Sequence, residues 1–334
     1  MYQPILPSIL THPNPVVVIT THHKPDGDAM GSTLGLFLLL KEIGIHAQVI
    51  TPTDYADFLT WLPGNEAVWN FETSPQKCID LVEKADFVFC LDFNKLSRIN
   101  ELGAVVANAK AQTFLMDHHQ EPETFGSNYW WDPQACSTCE IVYRFIVAEG
   151  FQDKINKEIA TCIYTGIMTD TGGFRHRGTN AQTHRIAAHL LELGVEPEIV
   201  HQRVWDSSSE SRLRLLGFAL SERMEVLKEF NTVLIWLSKE DLQRFQVKTG
   251  DTEGLVNYGL GITGVKLAAL IIDRSVLVKM SFRSREGFDV NQFAKKHFSG
   301  GGHVLAAGGS SSVSLEETLI NFKEALNLYK EQLR

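Results

Sequence analysis

Short apolar runs alternate with amphipathic stretches along the chain. Val16-Val17-Val18-Ile19-Thr20 is a β-branched run and predicts a buried strand. A polar loop from Thr21 to Asp28 follows it, and a helix is predicted from about Gly31 to Ile43, stopped by Gly44. Ala47 to Ile50, Phe87 to Leu91 and Thr113 to Met116 predict three more strands. Helical patterns lie between or after them, at 76–84, 138–149, 155–168 and 181–193. Strands alternating with helices indicate an α/β fold with a mainly parallel sheet flanked by helices. From 195 to 225 the pattern is helical and polar, with Asp206-Ser207-Ser208-Ser209-Glu210 at its centre, as in an interdomain connector. Beyond it Thr232 to Leu237, Gly264 to Ile272 and Val276 to Phe282 predict strands, and 239–246, 290–297 and 315–333 predict helices. This second α/β unit surrounds a glycine-rich stretch, Ser299 to Ser310. The division expected is a domain at 1–200, a helical linker at 201–228 and a smaller domain at 229–334.

Composition narrows the class. The chain has 334 residues, 44% hydrophobic and 21% charged, which is enough apolar material for two cores. Its longest early apolar run, Leu34 to Leu40, is interrupted only by Gly35 and falls far short of the ~20 residues that span a bilayer. Residues 1–15 carry no Lys or Arg, so a signal-peptide n-region is not expected, and the expectation is a cytoplasmic protein without a membrane partner. The net charge of −9 argues against a protein that coats long nucleic acid, but not against a small phosphate ligand held by a few cations. Five cysteines do not suggest a disulfide framework. Cys136 and Cys139 form a CxxC without a second ligand pair, and the expected role is small buried residues at a helix start rather than a zinc site.

The acidic residues fall in a telling order. Asp26 and Asp28 lie just after the first strand, Asp92 ends another, and Asp117, His118 and His119 end a third. In an open parallel sheet the loops after the carboxyl ends of strands share one edge, where ligands bind. Asp170, after the helical stretch 155–168, can join them. Taken singly, Asp-Gly-Asp reads as a turn and Asp92 as a helix cap. Taken together, so many carboxylates in one crevice need cations. The mixture of carboxylate and imidazole suits Mn²⁺ or Mg²⁺.

The segment His22-His23-Lys24-Pro25-Asp26-Gly27-Asp28-Ala29-Met30-Gly31-Ser32 resembles the first motif of the DHH phosphoesterases. Asp117-His118-His119 is similar to the triplet that names them, Asp92 with Arg98 resembles the second motif, and Gly166-Ile167-Met168-Thr169-Asp170-Thr171-Gly172 resembles the fourth. Ser281-Phe282-Arg283-Ser284 followed by Gly300-Gly301-Gly302-His303 resembles the associated DHHA1 domain. The likeness runs from about Val16 to Phe322 and is nearest to the nano-RNase branch. It implies two divalent ions, with Mn²⁺ expected. His22, Asp26 and Asp92 would hold one, and Asp28, Asp92, His118 and Asp170 the other, with Asp92 bridging. The family spacing His-x-x-x-Asp-x-Asp selects His22 over His23. Asp117 would orient an imidazole, and His119 would face the scissile phosphate and serve the leaving oxygen.

The same resemblance implies a substrate: short oligonucleotides cleaved to mononucleotides, or 3′-phosphoadenosine 5′-phosphate losing its 3′-phosphate, in a site between the domains. Arg98, Arg283, Ser284, Gly300, Gly301, Gly302 and His303 would contact it. Around them Arg274, Lys279, Arg283, Arg285, Lys295 and Lys296 stand against only Glu286 and Asp289, a locally basic stretch in an acidic chain. Read without the resemblance, the same residues are a glycine turn and a solvated basic face. Rival readings within the chemistry are hydrolysis of linear or cyclic dinucleotides, of polyphosphate or of pyrophosphate. A nucleotide-sensing protein without catalysis is the rival of another class. A homodimer is expected from the general frequency of twofold assemblies.

Overall fold

The computed structural model describes residues 5–176, 178–285 and 287–334; Glu286, counted above in the basic stretch, lies outside them. The chain divides into two compact units, the first ending at Ser207 and the second beginning at Ser208.

The first unit is built on six parallel strands: β1 (Val17–Thr20), β2 (Ala47–Thr51), β3 (Trp69–Asn70), β4 (Phe87–Leu91), β5 (Gln112–Asp117) and β6 (Asn128–Trp131). Its helices are α1 (Leu6–Thr11), α2 (Gly27–Glu42), α3 (Pro75–Glu83), α4 (Leu102–Asn108), α5 (Thr138–Ala148), α6 (Lys157–Asp170), α7 (Ala181–Glu192) and α8 (Pro197–Trp205). The strand order is β3-β2-β1-β4-β5-β6, so the winding reverses between β1 and β4. That reversal opens a crevice at the carboxyl ends of the two strands, the usual ligand position of a doubly wound sheet.

Both faces of the sheet are covered, which explains the continuous apolar runs. Val17, Ile19, Phe87, Phe89 and Phe114 pack under α2, α5 and α6. Their alternating neighbours Val18, Val88, Cys90 and Leu115 pack on the other side with Cys78 and Val82 of α3 and Leu102 and Val106 of α4.

Helix α2 begins four residues before the predicted start. The Asp26 carboxylate accepts from the amides of Asp28 and Ala29, so the expected loop ends at a helix cap and Asp28 sits in the first turn. The glycines of α2 then allow a close crossing with α6. A Cβ on Gly31 would lie 2.5 Å from the carbonyl oxygen of Cys162, and one on Gly27 would strike the Thr169 side chain. On the facing helix a Cβ on Gly166 would meet Cys139 Sγ at 2.1 Å. The crossing holds Asp28 and Asp170, on different helices, at one end of the sheet. Gly31→Ala is therefore expected to cost about 1–3 kcal/mol by overpacking, despite alanine's better helix propensity. Chemical denaturation measures this, and an unchanged or higher midpoint would contradict the packing argument.

The second unit comprises α9 (Glu210–Glu222), β7 (Met224–Leu227), β8 (Thr232–Leu237), α10 (Lys239–Arg244), α11 (Leu255–Leu260), β9 (Leu267–Asp273), β10 (Val278–Ser284), α12 (Val290–His297), β11 (Gly301–His303), β12 (Ala306–Ser311), α13 (Leu315–Asn327) and α14 (Lys330–Leu333). Its sheet runs β11-β12-β10-β9-β8-β7, antiparallel except for the parallel pair β8–β9. Phe282, Met280 and Ile271 pack against α12 and α13 through Phe293 and Phe322 on one face. Val233, Ile235 and Leu270 pack against α9 and α11 on the other. The stretch 201–228, expected as a linker, contributes the end of α8 to the first unit and α9 to the second.

The glycine-rich stretch is not a turn alone. It forms the outermost strand pair of the sheet, β11–β12, and just before β11 a Cβ on Gly300 would lie 2.1 Å from the Gly308 carbonyl oxygen. No helix of the described residues is long and apolar enough to cross a membrane.

Candidate metal centre

Three strand ends and two helix ends of the first unit converge. The loop after β1 carries His22 and leads to the Asp26 cap and to Asp28. Asp92 follows β4, His118 and His119 follow β5, Asp28 faces the N-terminus of α5, and Asp170 is the last residue of α6. The backbone at Asp92 is left-handed, with φ of 64°, a conformation that Asp tolerates better than most side chains. It turns a buried carboxylate into the crevice at the point where the strand would otherwise carry it away.

The geometry of that carboxylate organises the site. Asp92 Oδ2 lies 3.5 Å from His22 Nε2, while Asp92 Oδ1 lies 3.7 Å from His118 Nε2. His22 Nε2 is also 3.9 Å from Asp26 Oδ1, and His118 Nε2 is 3.9 Å from Asp28 Oδ2 and 3.6 Å from Asp170 Oδ2. Two of the resulting groups of donor atoms, His22 with Asp26 and Asp92, and Asp28 with Asp92 and His118, share only Asp92, and Asp117 with His119 forms a further group on the same carboxylate. These spacings exceed hydrogen-bond length. They match the separation of roughly 3–4 Å between donors that each sit about 2.1 Å from one ion.

The imidazoles are oriented from behind. His22 Nδ1 lies 2.8 Å from the His23 carbonyl oxygen and His118 Nδ1 lies 3.4 Å from that of Ala135, leaving each Nε2 turned to the carboxylates. His23 is directed elsewhere, its Nδ1 2.8 Å from the Arg98 carbonyl oxygen. Asp28 receives the amides of Thr138 at 2.6 Å and Cys139 at 2.9 Å, at the start of α5. Thr138 also donates its hydroxyl to Asp92 Oδ1 at 2.8 Å. Thr138 escapes a reading by residue type, because only its place one residue after the helix cap Ser137 marks it. The expected packing of Cys136 and Cys139 at a helix start is what the structure shows, both being buried free thiols.

Electrostatics point the same way. Burial and the carboxylates of Asp92 and Asp170 push the Asp28 carboxyl well up. Burial opposes charge on His118, yet Asp170, Asp92 and Asp28 raise its imidazole to about 9. Burial likewise opposes charge on His22, and Asp92 and Asp26 raise it overall. Burial would raise Asp92, but His22, His118 and Arg98 hold it below the usual carboxylate range. Asp117, fully buried, is raised to about 6 by burial and by Asp92. Its Oδ1 accepts from His119 Nδ1 at 2.7 Å, and its Oδ2 has no hydrogen-bond partner. Without cations, such a cluster must hold protons to offset its own repulsion. The donor set therefore fits divalent ions.

The remaining expected contacts are distributed as follows. Arg98, half-buried in the loop after β4, brings its charge to bear on His22, Asp92 and Asp117. In the second unit Arg283 lies on β10 with Nη1 donating to the Phe282 carbonyl at 2.9 Å, and the buried Ser284 donates its hydroxyl to the Phe288 carbonyl at 2.7 Å. The Gly302 amide donates to Asn291 Oδ1 at 3.0 Å, and Gly301, Gly302 and His303 are paired in β11.

Comparison with known proteins agrees with this organisation. Residues 16–167 match the DHH family, N-terminal domain, and residues 232–334 match the DHHA1 domain. A protein of Thermus thermophilus named bifunctional oligoribonuclease and PAP phosphatase NrnA is 32% identical over 95% of this chain and 90% of its own length. The cyclic-di-AMP phosphodiesterase GdpP of Bacillus subtilis is 25% identical over 94% of this chain and 48% of its own. The crystal structure of an exopolyphosphatase-related protein from Bacteroides fragilis superposes with a TM-score of 0.93 at 38% identity, covering 98% of this chain and 96% of that one. With both domains matched in order and a relative above 30% identity aligned over nearly its whole length, the chain belongs to the DHH–DHHA1 family of phosphoesterases.

Proposed function

We propose that the chain is a two-metal hydrolase that cleaves short single-stranded oligonucleotides to mononucleotides and removes the 3′-phosphate of 3′-phosphoadenosine 5′-phosphate, with Mn²⁺ as the working ion. The observation that carries the metal scheme is the posture of Asp92, which offers one oxygen to each histidine-carboxylate group. His22, Asp26 and Asp92 would hold one ion, and Asp28, Asp92, His118 and Asp170 the other. A pair of ions so held supplies an acidified water and charge stabilisation for an in-line displacement at phosphorus.

The chain's own groups do the rest. Thr138 and the α5 amides keep Asp92 and Asp28 aimed while the charge on the phosphate changes. Asp117 takes the Nδ1–H of His119, which fixes the tautomer and leaves Nε2 to serve the departing oxygen. Arg98 adds a planar cation for a phosphate oxygen pair. The second unit, with Arg283 and the β11 segment Gly301 to His303, is assigned the nucleotide end of the substrate.

The substrate choice is supported by the Thermus relative, matched over almost its full length, whereas the cyclic-di-AMP phosphodiesterase is matched over about half. The test gives the Mn²⁺-loaded protein a labelled five-nucleotide RNA, the bisphosphonucleoside, a cyclic dinucleotide and inorganic polyphosphate in parallel. Mononucleotides from the RNA and a monophosphate from the bisphosphonucleoside are expected. Product from neither would overturn the substrate assignment, and product from the last two alone would transfer it to them.

A further inference from the structure

Strand β6 ends the first sheet, and its side chains alternate. Trp130 turns inward, its ring edge-on to Phe145 with centroids 5.8 Å apart. Tyr129 and Trp131 therefore share the opposite face, and each is 42% exposed. In register, Trp131 stands beside Asp117, the residue that holds the His119 imidazole. The Trp131 indole N–H donates to the His119 carbonyl at 2.6 Å. Tyr129 accepts at its hydroxyl from the Gly126 amide at 2.7 Å.

Both rings thus have their polar atoms bonded within the protein and turn apolar faces to water. A tryptophan so placed leaves about two-fifths of its surface in water. It is nevertheless tied by its one polar atom to the residue assigned to the leaving oxygen.

We propose that Trp131 is a stacking platform for a nucleobase of the substrate, with Tyr129 extending it along the strand. The proposal rests on the oligonucleotide reading above. Stacking on an aromatic ring tolerates any base, because every base has a π-face, which suits an enzyme that consumes short fragments of any sequence. The bond to the His119 carbonyl puts the ring at the rim of the reacting phosphate, so the stacked base belongs to a nucleotide flanking that phosphate. The same contact discriminates against polyphosphate and pyrophosphate, which carry no ring.

The test compares a five-nucleotide RNA with the same oligomer made abasic, using Mn²⁺-loaded protein. Wild type is expected to favour the intact RNA in KM by about tenfold or more, within the range of base–aromatic stacking. Trp131→Ala should raise KM for the intact RNA by about tenfold and leave the abasic oligomer unchanged, erasing the preference. Trp131→Phe, which keeps a ring and loses the N–H, should retain most of it. An unchanged preference in Trp131→Ala would overturn the platform. So would a loss of kcat shared equally by both substrates, because it would mean that the residue only holds the His119 backbone. If wild type cleaves neither oligomer, the oligonucleotide reading fails and calorimetry with adenosine 5′-monophosphate decides the platform separately. About tenfold weaker binding in the Ala variant but not in the Phe variant supports it, and equal affinity in all three proteins rejects it.

Discussion

Asp92→Asn is expected to lower hydrolysis of a five-nucleotide RNA by about a thousandfold or more and to leave fewer than two tightly held ions per chain. The substitution is chosen for what it keeps. Asparagine adopts the left-handed backbone at this position with little strain, whereas alanine would add about 1–2 kcal/mol of backbone strain. Its carbonyl oxygen can still accept the Thr138 hydroxyl. What it removes is the negative charge and the second acceptor oxygen that faces His22. A neutral amide cannot serve both donor groups, because its nitrogen has no lone pair to offer an ion. Metal content by elemental mass spectrometry and turnover with excess Mn²⁺ are read together. Two ions per chain with near wild-type turnover would contradict the bridging scheme, and a cooperative unfolding transition in the variant shows that the fold is not the cause.

The part of this arrangement legible in the sequence follows from burial. Strands β1, β4 and β5 are covered on both faces, so they appear as unbroken apolar runs, and the polar residues that stop them are by necessity at strand ends. The runs alone therefore put Asp92 and His118 at strand ends. Strand β6 has one face exposed and reads as Asn-Tyr-Trp-Trp, and β3 is only Trp69–Asn70, so neither carries a periodic signal.

Local chemistry hid other elements. Asp-Gly-Asp has the composition of a turn, and only the three-dimensional use of Asp26 as a cap shows that Gly27 already belongs to α2. The glycines between Ser299 and Ser310 look like a loop, yet at Gly300 and Gly302 they let the backbone come closer to β12 than a side chain would permit. In the site, the family spacing selected His22, and the structure supplies a local physical reason, since His23 is held by the Arg98 carbonyl. The support behind the ligands was not legible. Thr138, Cys139 and the Gly31–Gly166 crossing act through backbone atoms and close approach, which residue type does not encode.

Asp117→Asn should separate positioning from metal binding, and a fall in kcat of about a hundredfold on RNA is expected with two ions still bound. Asp117 is fully buried and accepts the Nδ1–H of His119, so the imidazole carries its lone pair and any transferable proton at Nε2. An asparagine removes the carboxylate that stabilises the doubly protonated ring, and an amide N–H presented to Nδ1 leaves Nε2–H on a neutral imidazole, a far weaker acid toward the leaving oxygen. Asp117 lies outside the two donor groups assigned to the ions, so ion stoichiometry should be unmoved. The decisive readout is leaving-group dependence. RNA expels an alkoxide-like oxygen that needs protonation, whereas p-nitrophenolate departs without it. The Asp117→Asn penalty should therefore shrink to within a few-fold on a p-nitrophenyl ester of a nucleotide, and His119→Ala should show the same contrast. Equal losses on both esters would mean that the pair shapes the site without handling the proton. Loss of an ion in Asp117→Asn would instead move Asp117, through its unpartnered Oδ2, into the ligand set.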